Sequence, residues 1–507
     1  MPEFLLYIGN VFTPFNFLIL LLGTVGGLVM GALPGLSPTM AVALLIPFTF
    51  HMEPAGGLIL LGSVYTATVA GGAVSAILLK IPGAPANIAT TLDGHCMARQ
   101  GRAAEALQLS FLSSGVGGIL GVFVLIFFTP VLAEWALRFG PSHLFWMAVL
   151  GVTVIASLAS SSVIKGLAAG CMGLWISSIG YDDAQGIDRF TFSTHLEGGI
   201  HIIPALVGLF AIPQVIDMLA RSPGGGLMEK LQHHSLWQAV QLVSNKLRTL
   251  SIGSVVGIVV GLIPGAGGQI AGLVAYDQSR KFSKRREFYG KGEPEGLIAA
   301  ELANNAMVGP SLVPLLTLSV PGSPTAAVLL GGLLIYGIFP GPDLFNDYPE
   351  VAWTFINSLL IGQILMVILG LLMCRTAAKV ILLPENFLAA AVVVLAVFGT
   401  YSVQNSYSDV LIMAVLGGGM WFLERYGFSA GPLVLGIVLG PIAEQNFVYG
   451  YTIATAGEAT AIEGALPYFF GGVMNITLII LIILSVAGSV ALEIKARRRR
   501  AGGEDHV

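Results

Sequence analysis

The sequence is poor in charge and in cysteine. Of 507 residues only 10% are Asp, Glu, Lys or Arg, while 55% are hydrophobic, and the mean hydropathy is +0.84. So little charge cannot coat a soluble fold of this length, and no stretch reads as a separate soluble domain; the chain is a polytopic membrane protein. Cys96, Cys171 and Cys374 lie far apart in apolar surroundings, a spacing that gives neither a disulfide framework nor a metal site. The N-terminus lacks a basic region and a small-residue cleavage site, so Phe15 to Leu33 is expected to remain in the mature protein. No H-E-x-x-H motif or pair of catalytic carboxylates is visible, which argues against an intramembrane enzyme. GKG at Gly290 to Gly292 lacks the upstream glycine and the Ser/Thr of a phosphate loop. GFSAG at Gly427 to Gly431 matches a nucleophile elbow in letters only, because it joins two apolar segments and runs into Pro432. No enzymatic activity, cofactor, metal or nucleic-acid partner is expected.

What the chain does have is apolar runs, from Leu107 to Leu132 through to Leu466 to Leu492, with its basic residues gathered in a few loops. Arg280, Lys281, Lys284, Arg285, Arg286 and Lys291 form the strongest cluster, followed by Lys495 with Arg497 to Arg500, and then Arg99 with Arg102. Loops rich in Lys and Arg stay in the cytoplasm, so these three are expected inside, the C-terminus among them. The neutral or acidic connections at His51 to Ala55, Asp182 to Glu197 and Asp343 to Glu350 are expected outside. His233 and His234 fall in a polar connector that reads as an amphipathic helix on the inner surface rather than as a metal site.

In the middle of this apolar chain stands GLIPGAGGQIAG, Gly261 to Gly272, flanked on both sides by basic residues. Leu250 to Ile263 and Gln269 to Tyr276 are each too short to cross a core about 30 Å thick, so they read as the arms of a re-entrant hairpin with Pro264 to Gly268 as its tip. Phe17 to Phe50, carrying GALPGLSPTM, reads as the same device entering from the opposite face. Gly31-Ala-Leu-Pro34-Gly35 matches Gly261-Leu-Ile-Pro264-Gly265, and Ile81-Pro82-Gly83-Ala84-Pro85 matches Val320-Pro321-Gly322-Ser323-Pro324. Matching motifs with opposite charge bias predict an inverted-topology repeat. The expected fold is an all-α polytopic membrane protein of about 11–12 membrane segments, with re-entrant hairpins and broken helices in an elevator-like transporter architecture. Residues 1–220 would form the first repeat, 221–248 the connector, 249–450 the second repeat, and 451–507 a last membrane helix with a basic tail.

Broken helices at membrane depth are tolerated where protein or a water-filled cavity satisfies the backbone, and transporters put substrate and ion sites there. The candidate site therefore comprises Pro34, Gly35, Ser37 and Thr39 at the first tip and Lys80, Pro82, Gly83 and Asn87 at the first break. In the second half it comprises Pro264, Gly265, Gly267, Gly268 and Gln269 at the tip and Pro321, Gly322, Ser323 and Thr325 at the break. Helix starts at these points would aim free N–H groups at an anion. Asn304 and Asn305, with Tyr65 and Thr66 at the matching place in the first half, join the candidates. Asp93 reads as a helix cap, and Glu301 and Glu458 are ionisable residues in or near apolar segments.

The chain resembles the large membrane subunit of the tripartite tricarboxylate transporters, the TctA family. The resemblance rests on GALPGLSPTMAVALLIPFTF, on ILLKIPGAPANIATTLDGHCMARQGRAAEAL and most specifically on EFYGKGEPEGLIAAELANNAMVGPSLVPLLTLSVPGSPTAAVLLGGLLIYGIFPGPDLF. It implies a permease of the bacterial inner membrane that receives carboxylates from a periplasmic, TctC-like binding protein, works with a small four-helix, TctB-like membrane subunit, and uses a sodium or proton gradient. A stand-alone secondary transporter or ion exchanger of similar architecture is the alternative. Two positions depart from the family pattern. Lys80 stands where Asn is usual, either snorkelling to the inner surface or placing an ammonium at the break, and Pro324 stands where a small residue is more common.

Overall fold

A computed structural model describes residues 3–158, 162–182, 186–220, 234–264, 267–375, 385–456 and 461–501. Among these residues the regular structure is helical apart from one short antiparallel pair, β1 (Gly180–Asp182) with β2 (Ile187–Arg189). The first half contains α1 (Pro14–Ala32), α2 (Pro38–Thr49), α3 (Pro54–Leu79), α4 (Ile88–Met97), α5 (Ala103–Ala136), α6 (Pro141–Leu158), α7 (Val163–Ser177) and α8 (Ile202–Ala220). A bent pair follows, α9 (Leu236–Ser244) and α10 (Leu247–Leu262), and then α11 (Gly267–Phe282), α12 (Pro294–Ala306), α13 (Val308–Leu318) and α14 (Pro324–Ile335). The chain ends with α15 (Pro349–Met373), α16 (Glu385–Gln404), α17 (Tyr407–Arg425), α18 (Ala430–Thr455), α19 (Ala461–Phe470) and α20 (Val473–Ala501). Proline opens α1, α2, α3, α12, α14 and α15, where its missing N–H costs nothing and its fixed φ is already helical.

Among the described residues eight helices are long and apolar enough to cross a membrane. This is fewer than about 11–12 full segments, and the difference has a cause. Prolines and glycines cut the remaining apolar sequence into short helices, such as α2 and α14 of 12 residues each, which need a packed partner at both ends. The apolar run from Leu466 to Leu492 is likewise two helices, because Gly472 turns left-handed (φ 80°) between α19 and α20. The connector ends in α9, which meets α10 at 73° and turns Leu236, Trp237 and Val240 outward while burying Ala239 and Val243.

Two glycine stripes set how the hairpins pack. Gly23, Gly27 and Gly31 lay α1 on α3 so closely that an added Cβ would stand 3.2, 2.8 and 2.4 Å from the carbonyl oxygens of Leu60, Val64 and Thr68. Gly253, Gly257 and Gly261 do the same for α10 on α12, at 3.2, 2.6 and 2.6 Å from those of Ala299, Ala303 and Met307. With no hydrophobic drive between helices in lipid, such small-residue contact is what holds them together. The matching pairs start at opposite ends of the molecule. Asn10, just before α1, bonds Glu350 (2.9 Å), whereas Lys246, just before α10, pairs with Glu295 (2.6 Å) beside the basic loop.

The 34-residue α5 links the two ends, about 51 Å apart at 1.5 Å per residue. At its start Gln100 and Arg102 bond the carbonyls of Lys291 and Gly292, so the Arg99 to Arg102 and Arg280 to Lys291 clusters share one face. Its far end lines a cavity of 340 Å³ with Asp343, Gln445 and Asn446. Arg189 of the β-pair makes a forked bond to Glu444 beside that cavity, at 2.5 and 3.1 Å, so the neutral and acidic loops gather on the face opposite the basic one.

Candidate functional site

Both breaks are built alike. α3 ends in Lys80 and α13 in Ser319, each left-handed, with φ of 60° and 58°. Each chain then doubles back through Pro82-Gly83 or Pro321-Gly322, and the freed N–H finds a carbonyl in the preceding helix, Gly83 to Gly72 (3.4 Å) and Gly322 to Ser311 (3.1 Å). Each glycine also lies on the hairpin tip of its own half. A Cβ on Gly83 would be 2.6 Å from the Gly31 carbonyl, and one on Gly322 would be 2.9 Å from that of Gly261. The broken helices thus satisfy their backbones with protein, as membrane depth demands.

The four restarts converge. Ser37 caps α2 by accepting from the Met40 N–H (3.3 Å), and Ser323 caps α14 by accepting from the Ala326 N–H (3.1 Å). One residue inside each helix start, the Thr39 and Thr325 hydroxyls meet at 2.9 Å, joining the first hairpin to the second break. On the other diagonal, a Cβ on Gly268 would be 3.0 Å from that of Ala86 in the one-turn helix Pro85–Asn87 that opens the first restart. A Cβ on Gly267 would lie 3.9 Å from Pro324, which brings the two second-half restarts together. None of these starts carries an acidic residue in its first turn. Four positive helix ends therefore lie close together without an acidic residue of their own, and the carboxylate that reaches the first restart is that of Glu301, which accepts from Asn87 and Thr90.

The polar residues on the preceding helices divide by role. Tyr65, 1% exposed, crosses from the first half to bond Ser323 (3.0 Å) and Ser311 (3.3 Å). Its counterpart Asn304 is fully buried, and neither its amide nitrogen nor its oxygen has a partner among the described residues. Gly268 gives it room, since a Cβ there would stand 2.3 Å from the Asn304 oxygen. Its amide thus lies buried against the hairpin tip with every bond unmade among the described residues, which native proteins rarely tolerate. Asn305 bonds Ser114 (2.8 Å) and the Glu301 carbonyl, while among the described residues Thr66 bonds only the Ser63 carbonyl of its own helix. Asn87 joins Glu301 (3.4 Å) and the Val69 carbonyl. Pro34 and Gly35 form the first tip, with Gly35 left-handed (φ 85°). Lys80 stands apart: it is exposed and makes no hydrogen bond or ion pair among the described residues. Gly265, the Gln269 side chain and Glu458 lie outside the described residues.

Asp93 is a cap of unusual reach. One carboxylate oxygen accepts from the N–H groups of Gly290, Gly292 and Glu293 at 2.8 to 2.9 Å, and the other from the Tyr276 hydroxyl at 2.9 Å. It fastens the basic loop to the start of α12. Next to it, burial opposes the charge of Glu295, yet bonds from Lys246, Ser283 and Tyr289 hold its carboxyl below its ordinary range. Burial raises the Tyr289 phenol.

Residues 17–435 match the family described as Tripartite tricarboxylate transporter TctA family. The chain belongs to that family. Two relatives from Agrobacterium vitis resemble it. The "Uncharacterized 52.8 kDa protein in TAR-I ttuC' 3'region" is 36% identical over 435 residues, 86% of each chain. The "Uncharacterized protein in TAR-II ttuC' 3'region" is 37% identical over 204 residues, 40% of this chain and 84% of that one. No solved structure matches. In this TctA-family chain, three contributors to the junction escaped the sequence reading. Gln214 on α8 donates to Ser37 (3.1 Å), and Ser110 and Ser114 on α5 face Glu301. The two serines, four apart on an apolar helix, were a legible signal because that spacing puts both on one side. Gln214 offered none.

Proposed function

We propose that this chain is the permease of a binding-protein-dependent secondary transporter that imports tricarboxylates or related carboxylates, driven by a sodium or proton gradient. The observation that carries this reading is the meeting of four helix starts with no acidic residue in their own first turns, beside the unpartnered amide of Asn304. Each helix start stabilises an anion by about 0.3–1 kcal/mol when exposed and up to about 2 kcal/mol when partly buried, so a multivalent carboxylate is the ligand that gains most from four. The hydroxyl contacts Thr39 to Thr325 and Tyr65 to Ser323 are the ones that carboxylate oxygens would replace. Family membership supports two partners, a small four-helix membrane subunit and a periplasmic binding protein. On this reading the basic face is cytoplasmic in a bacterial inner membrane, the 340 Å³ cavity beside Ser319 and Val320 is the periplasmic approach, and the inverted repeats build an elevator-like carrier.

The test is uptake of labelled citrate and related di- and tricarboxylates in cells that lack their own systems but express this chain with both partners. Asn304→Ala and Ser323→Ala are expected to cut uptake at least tenfold while inserted protein stays at the wild-type level. Wild-type uptake that is undiminished without the binding protein would reject the three-part reading.

A further inference from the structure

We propose that Glu301 is the site at which the coupling cation is taken up, an assignment that rests on the transport reading above. Glu301 is fully buried on α12, and its carboxylate is surrounded by neutral donors alone. One oxygen accepts from the Asn87 amide nitrogen (3.4 Å) and the Thr90 hydroxyl, the other from the Ser114 hydroxyl (3.1 Å). The Ser110 hydroxyl faces the same carboxylate and makes no hydrogen bond among the described residues. No basic residue among those described pairs with it. Of the titratable groups on the neighbouring helices, Asp93 is committed to the loop backbone, Tyr276 to Asp93, His95 to the Ile77 carbonyl, Glu105 to Arg102, Tyr65 to the serines of the second break and Asp277 to Lys281, while Lys80 at the end of α3 is exposed. A buried carboxylate without a counter-charge is costly, and a bound cation removes that cost.

The cluster is equipped to hold one. Besides the carboxylate it offers three hydroxyls, and the unpartnered oxygen of Asn87 lies one amide rotation away from the group its nitrogen now bonds. With the nitrogen turned in, Asn87 donates to a bare carboxylate; with the oxygen turned in, it accepts from a protonated carboxyl or coordinates a sodium ion. Asn87 also ends the one-turn helix that opens the first restart, on the half opposite Glu301. Loading and unloading the cation therefore alters a contact that joins the two halves at the carboxylate junction, which is the physical requirement for coupling. The ligand class is a monovalent cation, a proton or sodium.

The experiment compares wild type with Glu301→Gln by two readouts. Thermal unfolding of the purified full chain is followed against sodium at fixed pH, and against pH without sodium. The wild type starts less stable than the Gln variant, and the gap closes as one of the two cations rises, which identifies it; a gap constant in both titrations overturns the assignment. In cells with both partners, Glu301→Gln equilibrates labelled carboxylate but no longer accumulates it, and accumulation equal to wild type overturns the assignment. If wild type itself takes up nothing while the stability gap still closes with a cation, the transport reading fails and the cation site stands. If the Gln variant does not fold, Ser114→Ala decides. It raises half-saturating sodium about tenfold, or moves a proton midpoint up by about one pH unit, and unchanged titrations overturn the assignment.

Discussion

Lys80 shows how a departure from a family pattern can be a matter of backbone. Its left-handed φ of 60° is a conformation that costs most L residues about 1–2 kcal/mol and that Asn visits readily, so the usual Asn suits the turn without having to touch a ligand. Lys80→Asn is expected to leave the uptake rate and its ion dependence unchanged and to stabilise the protein by about 0.5 kcal/mol, as thermal unfolding would read; a new sodium dependence would restore Lys80 to the site. Asp93 carries far more. Asp93→Ala strands two buried N–H groups, a part-buried one and the Tyr276 hydroxyl, costs about 3 kcal/mol, and should expose the Arg280 to Lys291 loop to trypsin while wild type resists. Residue type told that Asp93 caps and that Asn304 is polar at depth. It could not tell that Asn304 lacks partners, because that depends on which side chains three other helices bring to it.

At the level of elements the breaks were legible, since Pro-Gly inside an apolar run cannot carry a helix through, and each stands where the motifs put it. The split at Gly472 was not legible: the hydropathy of Leu466 to Leu492 is continuous, and one left-handed glycine divides it. The pairing of tips was also hidden, because nothing in a one-dimensional pattern says that Thr39 meets Thr325 across 286 positions. The clamps between tips and breaks give a sharp expectation. Gly83→Ala and Gly322→Ala would push a methyl to within 2.6 to 2.7 Å of backbone oxygens, so each should destabilise the protein by about 1–3 kcal/mol and lower its unfolding temperature. Loss of uptake at unchanged stability in both would show that these glycines serve a ligand rather than the clamp.

For the whole molecule, the charge pattern predicts which side each loop takes, because Lys and Arg are kept to one face by the energetics of insertion. Single cysteines at Lys284 and Thr194, introduced with Cys96, Cys171 and Cys374 replaced, should react with an impermeant thiol reagent from opposite sides of sealed vesicles, Lys284→Cys only from the cytoplasmic side. Labelling of both from one side would dismiss the orientation. The two kinds of joint in the fold differ in permanence. Within each half, tip and break touch backbone to backbone with no space for a methyl group, and such a seam opens only if the half itself unfolds. Where the restarts of the two halves meet, at Thr39 with Thr325 and at Tyr65 with Ser323, single hydroxyl bonds bridge the gap, each worth about 1 kcal/mol net, whereas α5 and α12 join the halves backbone to backbone, with an added Cβ on Gly117 only 2.1 Å from the Leu302 carbonyl. On the proposed reading a carboxylate would stand in for such hydroxyl bonds nearly one for one, so the carrier with its cargo and without it would differ little in energy. A carrier of that kind grips its cargo firmly enough to sort it and loosely enough to set it down.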